Sequence, residues 1–243
     1  MTGRPALGLA GLLTGTLRLT AEAAGRMFPV AFVPSLASAA LAGYAAPAAD
    51  AVGRVTPGQL WSGLADLVLG TLVAGVLCLI ALDASLGKRH GIEEYLRQAA
   101  RQFLPLLVFG LVLSVAIAVG FVFLILPGLY VAARYFPYVP ATVFEDAGWQ
   151  GTTRAEELTR GYRWPLAAAV GVFSVAALGF FVLAGTPFLL AAAALGTLPA
   201  ILADAGLATL GYILLATFSA VVYLRLRALR EGLAPEDIAA TID

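Results

Sequence analysis

The chain has 243 residues, of which 60% are apolar and 12% charged, against about 45–50% and about 25% in a soluble globular protein. So few charges cannot cover this much apolar surface, which excludes a water-soluble fold. Fifteen Lys and Arg balance fifteen Asp and Glu, so no global basic field exists to attract nucleic acid.

A membrane-crossing helix needs roughly 20 apolar residues, because each residue advances about 1.5 Å through a core about 30 Å thick. Six stretches are predicted to cross: residues 28–49, 64–82, 103–126, 129–144, 165–190 and 201–224. The fourth is interrupted by Arg134 and by Pro137 and Pro140. Beyond Pro187 the fifth continues apolar to Leu195, so residues 188–199 either extend that helix or form a re-entrant piece. Leu126-Pro127-Gly128 and Leu198-Pro199 read as tight turns that place proline where no helical N–H is wanted.

Thirteen of the fifteen cations fall in alternate gaps between these stretches. Arg4, Arg18 and Arg26 precede the first; Lys88, Arg89, Arg97 and Arg101 separate the second and third. Arg154, Arg160 and Arg163 separate the fourth and fifth, and Arg225, Arg227 and Arg230 follow the sixth, whereas Arg54 alone lies in an opposite-side connection. The excess of positive charge marks the cytoplasmic side, so both termini are expected inside the cell. Arg outnumbers Lys fourteen to one amid abundant Ala and Gly, a composition expected of a GC-rich bacterial genome and hence of an inner-membrane protein.

Each cytoplasmic stretch ends in a cation, an aromatic and a proline before the next crossing: Arg26-Met27-Phe28-Pro29, Arg101-Gln102-Phe103-Leu104-Pro105 and Arg163-Trp164-Pro165. Cation and ring suit the headgroup zone, and proline suits a first helical turn. Upstream of the second ending, Ile92, Tyr95, Leu96, Ala99 and Ala100 recur at helical spacing opposite Glu93, Glu94, Arg97, Gln98 and Arg101, which predicts an interfacial amphipathic helix. Thr153-Arg154-Ala155-Glu156 has capping-box spacing before a narrower stripe of Ala155, Leu158 and Tyr162. Leu9, Leu12, Leu13, Leu17 and Ala24 form the first and least regular stripe. Arg4, the apolar run 6–17 and Ala21-Glu22-Ala23 loosely imitate a signal peptide, but the run holds three glycines and the repeat explains it better. The expected fold is thus all-α, a single transmembrane domain over residues 1–243. It comprises three repeats of interfacial helix plus helical hairpin, about 7–83, 91–145 and 152–227.

Glycine recurs within the crossings, at Gly70, Gly110, Gly120, Gly171 and Gly211 among others, where it lets backbones approach closely. Arg134 is costly at membrane depth and must find protein, water or a headgroup. It lies about 9 Å from Gly128 by helical rise, while Asp66 and Asp204 begin their crossings on that same side. Arg134, Asp204 and Asp66 are therefore the candidate binding residues, as a shared outer cluster. Alternatives for Arg134 are snorkelling to phosphate or capping carbonyls freed by the prolines. Asp83 closes the second crossing and Glu145-Asp146 the fourth as boundary residues, with Glu145 within reach of a cytoplasmic Arg. Cys78 and His90 are the single residues of their kinds, too few for a disulfide or a metal cluster, and no cofactor is expected. No metal-protease, serine-hydrolase or phosphate-loop motif is present.

Leu126-Pro127-Gly128-Leu129-Tyr130-Val131 with Arg134, then Glu145-Asp146, Glu157-Leu158-Thr159-Arg160-Gly161 and Trp164, resemble the pattern of the bacterial YciC-like membrane proteins. Those are similar to the membrane domain fused to some glycerophosphodiester phosphodiesterases. The closing Tyr223-Leu224-Arg225-Leu226-Arg227 and Glu231-Gly232-Leu233 also fit, although many members carry Asp at the position of Leu224. The resemblance implies a six-helix membrane domain with an amphipathic N-terminal helix and assigns no activity. The expected function is a non-enzymatic module that binds or organises membrane lipids, a partner membrane protein or a second copy of itself. The alternatives are a transporter or channel for a lipidic or small substrate, and then an intramembrane enzyme. For transport, polar groups within the crossings are thin: Ser114, Ser174, Thr209, Thr217 and Ser219 besides Arg134.

Overall fold

The computed structural model describes residues 7–45, 57–123 and 125–232; Arg4, Arg54 and Leu124 lie outside them. Among the described residues the chain is helical and contains no strand. Five helices are long and apolar enough to cross a membrane, which fits a multi-pass membrane protein: Leu9–Ala42, Leu60–Ser85, Phe103–Val122, Arg163–Ala194 and Thr197–Glu231.

The first, within α1 (Leu9–Ala45), corrects the expected N-terminal elbow. It is one continuous helix through Pro29 and Pro34, with no break near Arg26. Its buried stripe is Leu12, Thr16, Leu19, Ala23, Met27 and Ala31, a single face, whereas Leu9 and Leu17 are exposed. That face packs antiparallel along α10 (Thr197–Glu231), where Thr20 and Thr217 share a hydrogen bond of 2.8 Å and Gly15 admits Val221. The expected stripe of Leu9, Leu12, Leu13, Leu17 and Ala24 shares only Leu12 with this buried face, which α10 is long enough to cover.

α2 (Pro57–Ser85) completes a three-helix layer with α1 and α10. α3 (Ile92–Arg101) is the predicted amphipathic helix, burying Tyr95 and Ala99 and exposing Ile92 and Leu96. Its elbow into α4 (Phe103–Phe123) forms at Gln102, which leaves the helical region and bonds back to Gln98 and Ala100 carbonyls. The third elbow forms as well. α7 (Gly151–Thr159) stops before Gly161, whose φ of +89° a side chain would resist, and α8 (Arg163–Phe180) starts with Trp164 exposed. Helix breaks therefore occur at Gln102 and at Gly161, ahead of α4 and α8. The capping box does not form: α7 starts at Gly151 without a side-chain cap, and Glu156 is engaged elsewhere.

The fourth expected crossing is also corrected. It is split into α5 (Ile125–Tyr135) and α6 (Tyr138–Phe144) at Pro137. Eleven residues of α5 rise only about 16 Å, half of a hydrocarbon core. The Leu126-Pro127-Gly128 turn lies inside α5, where Gly128 meets Gly120 of α4. A Cβ on Gly120 would stand 2.6 Å from the Gly128 Cα. Farther down the same hairpin, Gly110 faces the Tyr138 hydroxyl. Gly at these positions permits backbone contact where lipid supplies no hydrophobic force between helices.

The fifth segment is one extended helix and not a re-entrant piece. After α8 it passes through a π-helical turn, Phe181–Gly185, into α9 (Thr186–Ala194). The widened turn precedes Pro187 and accommodates its missing N–H and its ring. Gly196, with φ +123°, then reverses the chain into α10, whose first turn carries Pro199. Phe218 of α10 is fully buried, stacked on Phe173 at 4.1 Å and edge-on to Phe136 at 5.2 Å, which joins α8, the α5–α6 turn and α10. Such aromatic pairs contribute about 0.5–1.5 kcal/mol beyond area burial.

Candidate functional site

Polar side chains gather at the two ends of the bundle. At the end where α2, α6 and α7 meet, Glu145 caps α6 and collects three partners. Arg154 of α7 donates from Nε at 2.6 Å and from Nη2 at 3.2 Å, and the Tyr223 hydroxyl of α10 donates at 2.5 Å. Arg227, one turn along α10, donates to Glu231 at 2.8 Å and lies 3.9 Å from Glu145, while Arg154 also bonds Glu231. The network ties α6, α7 and α10 together. Burial disfavours charge on Arg154, but its bonds to Glu145 and Glu231 prevail and raise its pKa.

Two further clusters flank this network. Asp83, buried at the end of α2, accepts from the His90 Nδ1 at 2.5 Å and from the Tyr95 hydroxyl at 2.8 Å. The His90 backbone N–H in turn donates to the Tyr95 oxygen at 3.1 Å. The hydrogen bond to Asp83 raises the imidazole pKa, and burial pushes the Tyr95 phenol up to about 12. Gln98 donates to the Val143 carbonyl and Gln102 to Asp146, fastening the α3 elbow to the end of α6. Asp146 holds φ +53°, a left-handed turn that ends α6 and aims its carboxylate at Gln102.

The second cluster contains Arg134 and overturns its expected pairing. Arg134 sits in the last turn of α5 and donates to Glu156 of α7 at 2.5 Å; Arg163 donates to the same carboxylate at 3.1 Å. The bond from Arg134 holds Glu156 below the usual carboxylate range. Neither Asp66 nor Asp204 is its partner. Because α5 starts at Ile125 and ends at Tyr135, Arg134 lies at the far end of the short helix from the α4–α5 junction, next to α7. The Thr159 hydroxyl reaches the Arg134 carbonyl at 2.8 Å and so fixes this end of α5.

Between the Glu145 network and the Asp83 cluster lies a cavity of about 720 Å³, lined among others by Asp83, His90, Arg97, Arg101, Glu145 and Arg227. At the opposite end, Asp66 and Asp204 do come together, lining a groove of about 550 Å³ between α1, α2 and α10. In the middle, Cys78, Ser114, Tyr138 and Ser219 border an apolar cavity of about 280 Å³. The sequence signal for Glu145 meeting a basic residue was sound. Tyr95, Tyr223 and Glu231 carried no signal of this role, since Tyr95 stood in an apolar stripe and the other two only in the closing pattern of the chain. Among the described residues no group of three or more His, Cys, Asp or Glu could hold a metal ion. No family model matches the chain, and no curated protein or solved structure matches it either.

Proposed function

We propose that the chain is a non-enzymatic, multi-pass module of a bacterial inner membrane, with both termini in the cytoplasm, that binds phospholipid headgroups at its basic end, in keeping with the YciC-like resemblance. The observation that carries this reading is the 720 Å³ cavity beside α3. Exposed Ile92 and Leu96 give α3 an apolar face for the bilayer surface. Arg97 and Arg101 are one turn apart and both border the cavity, so two guanidinium groups can engage one phosphate. Arg97 meets Glu93 at 2.7 Å, but that pair is well exposed and therefore weak enough for phosphate to displace. Glu145 and Asp146 on the other wall are satisfied by Arg154 and Gln102 and repel a phosphate less than free carboxylates do.

The test is the phospholipid retained after extraction in mild detergent, measured by mass spectrometry. The double variant Arg97→Gln/Arg101→Gln is expected to retain several-fold less anionic phospholipid with an unchanged Tm. Equal retention in the two proteins would sink the reading. Movement of a lipidic substrate is a second reading, supported by the fact that Tyr212 and Leu215 line both the Asp66/Asp204 groove and the central cavity. Accelerated exchange of a labelled phospholipid between leaflets of reconstituted vesicles would favour transport.

A further inference from the structure

The groove at the end opposite the cavity beside α3 carries a chemistry of its own. Asp66 of α2 and Asp204 of α10 line it with Ser35 and Ser38 of α1, and among the described residues that line it there is no Lys, Arg or His. Ser38 donates to Asp66 at 2.8 Å. Ser35 is different: only 5% exposed, its hydroxyl faces the groove with no hydrogen-bond partner. A buried hydroxyl without a partner is costly, and two carboxylates that line one groove attract a cation. A cation with several N–H donors in the groove would serve both.

We propose that this groove binds an amphiphile bearing a protonated primary amine, held by Asp66, Asp204 and the Ser35 hydroxyl. An ammonium group has three donors, one for each carboxylate and one for the hydroxyl oxygen. The remaining wall is mainly apolar, with Ala39, Ala208 and Gly211 leaving the space open. Tyr212 and Leu215 continue that wall into the central apolar cavity, which offers a path for an alkyl tail. A bare metal ion is a poorer match, since its ligands here would be two carboxylates in a largely apolar groove of about 550 Å³. The amine could be carried by an aminophospholipid of the bilayer or by a free alkylamine.

The full chain in phosphatidylglycerol nanodiscs lacking any amine lipid provides the test, with dodecylamine, dodecyltrimethylammonium and dodecanol as probes and circular dichroism as readout. At a hundredfold excess over its Kd, dodecylamine is expected to raise the Tm by about 5–11 °C. The quaternary amine, which has no N–H donors, and the neutral alcohol should raise it far less. Asp66→Asn/Asp204→Asn should abolish the dodecylamine shift. Ser35→Ala, which removes an unpaired hydroxyl and should leave the unliganded Tm intact or higher, should weaken dodecylamine binding about tenfold. Equal shifts from all three probes, an undiminished shift in the double variant, or unchanged affinity in Ser35→Ala would each overturn the proposal. Replacing part of the bilayer with phosphatidylethanolamine identifies the source: a smaller dodecylamine shift marks the aminophospholipid as occupant, and an undiminished one marks a free amine. These outcomes do not depend on Arg97 or Arg101, so the two ends of the molecule are tested separately.

Discussion

Glu145 is the acceptor on which three helices converge, and its removal is the sharpest test of the architecture. In Glu145→Gln the shape is kept, but the charge that balances Arg154 and Arg227 and accepts from Tyr223 is lost. Breaking a fully buried ion pair costs about 3–5 kcal/mol. Here the side chains of Glu145 and Arg154 are 19% and 27% exposed, and Glu231 remains as a second carboxylate for both arginines. The expected loss is therefore smaller, about 2 kcal/mol, and at roughly 2–4 °C per kcal/mol for a chain of this size it lowers Tm by about 4–8 °C. Cys78 supplies the assay. It is the single cysteine, 1% exposed, so a thiol-reactive dye on the detergent-solubilised protein reports opening at one site. Combining Glu145→Gln with Arg154→Gln should cost about 1 kcal/mol or more less than the sum of the single losses. Additivity within about 0.5 kcal/mol would refute the coupled network.

His90 predicts a pH dependence. Its folded pKa is raised by Asp83, so its contribution is complete below the unfolded value of about 6.5 and is lost as pH rises through the folded pKa. The Tm difference between wild type and His90→Asn should therefore shrink from pH 6 to pH 9, and a constant difference would contradict the assignment. At the α4–α5 contact, a Cβ on Gly120 collides with the Gly128 backbone, so Gly120→Ala should cost about 1–3 kcal/mol. Gly179, with nothing within 4 Å, is the control, and its alanine variant should match the wild type in the same thiol assay.

The legible parts of the molecule were those whose physics is local. Apolar length marked the five helices that are long enough to cross a membrane, although the first starts at Leu9 and not at residue 28, and the alternation of Ile92, Tyr95 and Leu96 with Glu93 and Arg97 marked α3. The breaks at Gln102 and Gly161 fall beside two of the expected cation–aromatic–proline endings, Arg101 through Pro105 and Arg163 through Pro165, but Gly161 was not part of that signal. Asp66 and Asp204 were expected at one end and do share a groove. Arg134 was misplaced because its partner depends on where α5 ends and where α7 packs, and neither is written in the residues around it.

By itself the sequence determined that the chain carries several helices long and apolar enough for a membrane, since transfer from water depends on the composition of each stretch taken alone. Tertiary structure decided which helical faces touch. The stripe of Leu12, Leu19 and Met27 could lie on a membrane surface or against another helix with the same periodicity; the length of α10 selected the second. Likewise, two carboxylates and a serine on three separate helices become one groove only when α1, α2 and α10 pack together, because charge interactions act through space and not along the chain.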